Sequence, residues 1–538
     1  MNKRRLWFWM ISGVVLLIGG IVGGLGMLDR LPWQSGEFYE DPQGRFTMQV
    51  DRAWEQVETD GTHTEFKVTD PPMNMYLLVL QASTIDEAFS QTMQVLGFDP
   101  ALLTGGGTTT FGDWEAYAQE DGAGLMYGLA GQIVGENAYV FMVKANEPGI
   151  NADNPAVVRA LTGVKIAGKE EIEIKSYADV EAVVREQVDS LAGSVSIAVV
   201  HKGEIVYTYA YGEANPVDGI AADTGTIYAF GSMTKPFTAT ALMQLVEQGK
   251  VDLDTWPGQY ISEFPESWNV TVRQLLDHSA CMPGSDRLTD GLIVKPEESF
   301  APLEEIFTTY VKDYPDLVCE PGKVSNYSNP HFLALGRIIE EVSGEPFETY
   351  VVDHILTPLA MESTRFQLVE ADERYAKEQF PAAQIDEFVA KINEYRGPGQ
   401  EALVLQKGEA FATLDDYRIL PPWGGLRGTP SDVTHFLQMH MNKGRYGDSQ
   451  ILKPETVAAM QEMQTSIDGS PLGFGLSWWI KEDEFGEFIG HNGSTAVAEN
   501  VMHFYPDLDL GVVVMANIPG YHPGWIAEDL VSAWMNER

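Results

Sequence analysis

Apolar and polar positions follow two different periods along this chain, and the change of period divides it. Residues 6–28 form an apolar run without a charge. At a rise of about 1.5 Å per residue that run covers a bilayer core of about 30 Å, which predicts one membrane-spanning helix within residues 1–35. Lys3, Arg4 and Arg5 precede it, so the tip should stay cytoplasmic and everything after Asp29 should lie outside. The run exceeds a usual signal-peptide core and no A-x-A site follows, which favours an uncleaved single-pass anchor in the cell membrane. From 36 to 168 the period is mostly two. "GRFTMQV", "MNMYLLVLQAS", "WEAYAQE", "GLMYGLAGQIV" and "NAYVFMVKA" read as strands, and "TIDEAFSQTMQVLGF" as a helix. This predicts a small α+β domain, closed by the charged linker "AGKEEIEIKS".

A second domain, 177–538, begins with an amphipathic helix over 177–191. The hairpin "SVSIAVVHKGEIVYTYAYGEAN" follows, with Lys202-Gly203 in its turn. Helical spacing then dominates "TVRQLLDHSA", "NPHFLALGRIIEEVSG" and "PFETYVVDHILTPLAM". Strand signals return near the end in "GFGLSWWI", "EFGEFIGHNG", "AENVMHFYP" and "LGVVVMANI", before a last helix in "PGWIAEDLVSAWMNE". An antiparallel sheet built from both ends of the domain, flanked by helices and interrupted by a helical subdomain, is the expected α+β arrangement. The stretch 371–420 has mixed periodicity and reads as an insertion with some helix. The first module resembles, in pattern, the PsbP-type α+β modules.

Composition adds a compartment and excludes a partner. With 538 residues, the chain is long enough for two or three cores. Its 78 Asp+Glu against 35 Lys+Arg give a formal charge of −43, which repels the phosphates of nucleic acid. The only cysteines are Cys281 and Cys319. Outside the cytoplasm they could form a disulfide, and two separate buried thiols are the alternative. No P-loop, G-x-S-x-G elbow or H-E-x-x-H motif is present. His435 and His440 are five apart, off one helical face, so neither they nor any other group suggests a metal or cofactor.

The chemistry concentrates in three short stretches. In "GSMTKPFTATALMQLVEQGKVDLD", Ser232 and Lys235 are three apart, the spacing that puts two side chains about 5–6 Å apart at Cβ on one helical face. Ser232 opens the helix, where free amides and the dipole favour negative charge. This S-x-x-K occurs once in the chain. Tyr327-Ser328-Asn329 stands at the start of the helix in "SNYSNPHFLALGRIIEEVSG", and His491-Asn492-Gly493 follows a strand in "GHNGSTAV". An N-cap serine beside a solvent-facing lysine is the bland reading of the first motif alone. His278 in "LLDHSACMPG" reads as a structural residue ending a helix near the cleft, and Trp423, Trp478 and Trp479 as packing or pocket-lining aromatics.

With these motifs in this order, 177–538 resembles the serine hydrolases of the class C β-lactamase family, which includes penicillin-binding-protein-related carboxypeptidases, D-aminopeptidases and esterases. "ALMQLVEQGKVDLD", "VTVRQLLDHSACMPG", "PPWGGLRGTPSDVTHFLQMHMNKG" and "DLGVVVMAN" extend the likeness. The resemblance implies Ser232 as the nucleophile of an acyl-enzyme, with Lys235 lying against it and against Tyr327. A free phenol has a pKa of about 10, so Lys235 is expected to favour the phenolate and make Tyr327 the general base. Asn329 would bind the substrate amide or steady Lys235. The oxyanion site would use the amides of Ser232 and Ser494, beside Asn492 and Gly493. Where the family's lactamases carry Lys-Thr-Gly, this chain carries His491-Asn492-Gly493. A histidine of pKa near 6.5 is no permanent cation for a substrate carboxylate. The expected activity is therefore hydrolysis of D-amino-acid-containing peptides, amides or esters. A β-lactamase or D-alanyl-D-alanine carboxypeptidase, and a non-catalytic cell-wall-peptide sensor, are the alternatives. Expected partners are a small-molecule or peptide substrate and the membrane; oligomeric state is left open.

Overall fold

Alternating burial builds a sheet in each half of the molecule. The computed structural model describes residues 37–40, 45–50, 54–57, 63–69, 72–98, 107–111, 114–120, 126–146, 164–166, 174–191, 193–216, 218–284, 293–294, 299–366, 374–377, 379–381, 404–407, 410–413, 418–483, 485–495, 499–518, 521 and 523–538. They fall into two units, Met1–Ile172 and Glu173–Arg538. The apolar run 6–28 lies outside the described residues, among which no helix is long and apolar enough to cross a membrane.

The first unit contains β1 (Glu37–Glu40), β2 (Phe46–Val50), β3 (Trp54–Val57), β4 (Thr64–Thr69), β5 (Pro72–Gln81), α1 (Ile85–Val95), β6 (Gly107–Phe111), β7 (Trp114–Glu120), β8 (Met126–Val134), β9 (Asn137–Ala145) and β10 (Val164–Ile166). Strands β3 to β9 form one antiparallel sheet in the order β3-β4-β5-β9-β8-β7-β6, and β1-β2-β10 a smaller one. Ile85, Ala88, Phe89 and Met93 of α1 pack on Tyr76, Leu78, Leu129 and Val140 of the large sheet. Thr84 caps the helix by accepting from the Glu87 N–H at 3.2 Å. The sequence reading lacked β1, β3, β4, β6 and β10. All but β4, which lies inside the large sheet, are strands of three to five residues at sheet edges, where an apolar period has few residues in which to show.

The second unit carries α2 (Tyr177–Leu191), β11 (Ser194–His201), β12 (Glu204–Asn215), β13 (Ile220–Ala221), α3 (Lys235–Glu247), α4 (Asn329–Ser343), α5 (Pro430–Met441), β14 (Trp479–Asp483), β15 (Gly486–Ser494), β16 (Glu499–Tyr505), β17 (Leu510–Ala516) and α6 (Pro523–Asn536). The two ends of this unit meet in one antiparallel sheet, ordered β13-β12-β11-β17-β16-β15-β14. Every residue of β11 and β17 is buried, because both faces of the sheet are covered. Val512 and Val514 join the layer of α2 and α6 through Val180, Val184, Ile526 and Leu530. Val513 and Met515 point the other way, into the larger core of Phe237, Leu242, Phe436 and Leu437 from α3 and α5.

Within 371–420 the strands Gln379–Pro381, Ala410–Thr413 and Val404–Lys407 form a small antiparallel sheet, and most of the rest of this insertion, where helix was expected, lies outside the described residues. Two expectations change here. Of "GFGLSWWI" only its last two residues begin β14. His491-Asn492-Gly493 lies within β15 instead of following a strand.

Candidate active site

Ser232 sits in a 3₁₀ turn, Gly231–Thr234, that runs directly into α3, so the α-helix proper starts at Lys235. The tighter turn still leaves the Ser232 amide at the open end of a continuous helical stretch. Its position is set from both sides. Phe230 N–H donates to Leu426 O at 2.8 Å, and Asn500 Nδ2 donates to Ala229 O at 2.8 Å from the sheet. Gly231 has φ +53°, and a methyl there would lie 3.0 Å from Ser494 N and overlap Ser494 O. A methyl on Gly493 would overlap Phe230 O. Two glycines thus let the β15 backbone pass against the turn, setting Ser494 beside Ser232.

Lys235 is fully buried, whereas Ser232 remains partly exposed. Its Nζ donates to Ser232 Oγ at 2.8 Å and to Trp423 O at 3.3 Å. It also lies 4.9 Å from the centroid of the Tyr327 ring and 5.6 Å from that of Phe332. Alcohol, amine and phenol, far apart in the chain, therefore converge. The protonation expected from sequence does not follow. Burial without a counter-charge pushes Lys235 well below its usual value. Desolvation also raises the Tyr327 phenol, against a smaller opposing effect of its hydrogen bond with Ser232. Both shifts favour the uncharged forms. A neutral amine with a neutral phenol has the same proton count as an ammonium with a phenolate, so the cluster holds an accepting site for one proton in either arrangement.

Tyr327 is delivered by a loop stitched to the segment after helix Val272–Leu276. Val318 N–H donates to Cys281 O at 2.9 Å, Gly322 N–H to Ser279 O at 2.8 Å, and Asn326 N–H to His278 O at 2.6 Å. Cys281 and Cys319 are disulfide-bonded, closing the same seam. Ser328 then precedes α4, its hydroxyl donating to Pro283 O at 3.0 Å instead of capping the helix, and Asn329 is the helix's first residue, partly exposed.

His491 is buried and stacks on Trp479 at 4.8 Å, with its ring centroid 6.2 Å from that of Tyr327. Its Nδ1 contacts Asn492 O, and its Nε2 has no protein partner. Burial first, then the nearby Lys235, pushes it down to about 3, so it is uncharged at neutral pH instead of partly charged. Asn492 Oδ1 is held by His503 Nε2 at 3.1 Å, and Ser494 is exposed. Trp478 belongs to the core beside Phe436 and His440, and His435 turns to Leu359 O. The sequence reading missed the Trp423 carbonyl, since backbone acceptors carry no residue signal. It also missed the partner of His278, described below.

The β-lactamase family pattern matches residues 180–531. The chain belongs to the β-lactamase family. An Escherichia coli protein bearing the name of a D-alanyl-D-alanine carboxypeptidase is 26% identical over 375 residues, covering 62% of this chain and 81% of its own. The octameric penicillin-binding protein homologue from Pyrococcus abyssi superposes with a TM-score of 0.52 at 26% identity, over 67% of this chain and 77% of that one. The D-amino acid amidase from Ochrobactrum anthropi gives a TM-score of 0.55 at 21% identity, over 67% and 99%, a likeness of fold. This family member is accordingly a serine hydrolase with the family's α+β fold.

Proposed function

We propose that the chain is a membrane-anchored, extracytoplasmic hydrolase that works through an acyl-enzyme on neutral amide or ester substrates, above all peptides containing D-amino acids. The observation that supports the chemistry is the 2.8 Å contact between Lys235 Nζ and Ser232 Oγ, with the Tyr327 ring against the same amine. Ser232 Oγ attacks the carbonyl carbon, and its proton passes to the Lys235–Tyr327 pair. The carbonyl oxygen becomes an oxyanion facing the amides of Ser232 and Ser494. Each such donor is worth about 2.7–4 kcal/mol in related chemistry. The same pair returns the proton to the leaving amine or alcohol, and water then repeats the sequence in reverse to free the acid. Asn329 orients the substrate amide.

The uncharged His491 supports the substrate class. A buried neutral imidazole at this strand position provides no fixed charge for a terminal carboxylate. This favours amides and esters over β-lactams and D-alanyl-D-alanine termini. The carboxypeptidase reading remains second, supported by the name of the Escherichia coli relative. The anchor rests on the apolar run 6–28 behind three cations, and the first unit serves as a binding or positioning module.

A hydrolysis panel of nitrocefin, short-chain p-nitrophenyl esters and D- against L-aminoacyl anilides tests the reading. Turnover of esters and D-anilides is expected, together with fluorophosphonate labelling that disappears in Ser232→Ala. Preference for L-anilides or for nitrocefin sinks the substrate class, and absence of any acyl adduct sinks the enzyme in favour of a peptide sensor. Release of the protein from membranes by alkaline carbonate would overturn the anchor.

A further inference from the structure

Behind the phenol of Tyr327 lies a pair of histidines that the steps above leave unused. His278 and His331 are both fully buried, 53 residues apart in sequence, with Nδ1 to Nδ1 at 3.1 Å. Their backbone donors fix their protonation. Met282 N–H donates to His331 Nε2 at 3.3 Å, so that nitrogen carries a lone pair and the ring proton is on Nδ1. Ser328 N–H donates to His278 Nδ1 at 3.3 Å, and His331 Nδ1–H then donates to the same nitrogen. His278 is thereby left as the Nε2–H tautomer, and Nε2 has no protein partner. Both rings must be neutral for this network to exist.

His278 is also held in an uncommon backbone conformation, with φ +60° directly after the helix that ends at Leu276. For a residue with a side chain that region is disfavoured, and such strain persists where the surroundings enforce it. What it achieves here is a stack. The His278 ring lies 4.3 Å from the Tyr327 ring at an interplanar angle of 29°. Contact through ring faces moves no proton between the two residues, but it fixes the plane and depth of the phenol. The titratable groups around His278 are His331, Lys235, His491 and Tyr327, and none of them supplies the negative charge that would stabilise a protonated imidazole there.

We propose that His278, locked in one tautomer by His331, is a positioning residue that sets the Tyr327 phenol against Ser232 and Lys235. The role rests on Ser232, Lys235 and Tyr327 being the reacting groups. It extends beyond them to a neutral two-histidine wall whose hydrogen bonds tie the helix end at 278, the loop at 282 and the start of α4 to the position of one phenol.

The rate of Ser232 acylation by a fluorophosphonate, followed from pH 5 to 10 on the full chain, tests this without knowledge of the substrate. His331→Leu removes the donor to His278 and is expected to slow acylation by about 10- to 100-fold, the scale of a small misplacement of a reacting group. The pH limb of the rate should move by roughly 0.5 units or more, because the phenol's surroundings change. His331→Asn, which can place an amide N–H where Nδ1–H stood, should return the rate to within about threefold. His278→Phe keeps the stack's volume without its nitrogens, and is expected to resemble His331→Leu even if the latter folds poorly. Wild-type rates in His331→Leu and His278→Phe would overturn the proposal. So would equal losses in His331→Leu and His331→Asn with an unmoved limb, which would mean packing alone. Failure of the wild-type protein to label at Ser232 would instead overturn the site assignment, and the positioning role with it.

Discussion

The two units bury very different things. Among the described residues of the first, the buried polar side chains are Thr92 and Gln132, and the core is otherwise apolar. The second buries Lys235 and the imidazoles of His278, His331, His440, His491 and His503 among its aromatics and aliphatics. An apolar core lowers the free energy of folding almost without regard to pH. A core that holds uncharged bases is stabilised less, because each base would rather meet water or a proton. Lys235, His278, His331 and His491 carry that cost around Ser232, whereas His440 carries it in the core beside Trp478.

The largest test of this contrast is Lys235→Met. Activity should fall by three orders of magnitude or more, on the scale of losing one member of a reacting set. Thermal stability of the second unit should nevertheless rise. Because burial lowers the folded-state pKa of Lys235, the unfolded chain binds an extra proton at neutral pH, and the wild type gives up stability there that it regains toward pH 10. The gain from Lys235→Met should therefore be larger at pH 7 than at pH 10 by calorimetry. A destabilised variant would show that the amine's hydrogen bonds outweigh its desolvation.

Tyr327→Phe comes next. It removes the phenol's hydroxyl and should lower kcat by about 10²–10⁴-fold with the fold intact, measured on p-nitrophenyl esters. A loss under tenfold would assign the proton transfer to Lys235 alone.

Acid sensitivity separates the units without mutation. His331, His440, His491 and His503 are each pushed down to about 3 by burial, so below pH 6.5 the unfolded chain takes up protons that the native one does not. Stability of the second unit should fall as pH drops from 8 to 5.5, by up to about 1.4 kcal/mol per group one unit below 6.5. His201 and His278 are lowered by burial in the same way, while Asp277, pushed up to about 6, and Glu340, Asp432 and Glu499, all raised by burial, work in the opposite sense, so six imidazoles stand against four carboxyls. Two calorimetric transitions are expected, and only that of the second unit should move. A pH-independent profile for both would remove the contrast.

The smallest effect concerns specificity. His491→Lys should raise hydrolysis of substrates with a free terminal carboxylate relative to neutral esters by about tenfold, the worth of one charge-assisted hydrogen bond. An unchanged ratio would mean that the carboxylate, if bound at all, is met elsewhere.

The elements of the second unit were legible because their periods are long and their faces are buried. Helix Tyr177–Leu191, the hairpin around Lys202-Gly203 and strands β16 and β17 all stand where the apolar pattern has them. The described strands within 371–420 were not legible, since they are three or four residues long and give no period to count. By itself the sequence determined which alcohol, amine and phenol were available, and that Ser232 and Lys235 would share one turn, because local spacing fixes local geometry. Only the tertiary structure decided that Lys235 lies dry against the Tyr327 ring, that His491 carries no charge, and that His278 and His331 meet. Protonation depends on what surrounds a group in space, and residues 53 positions apart record nothing of that in the order of the chain.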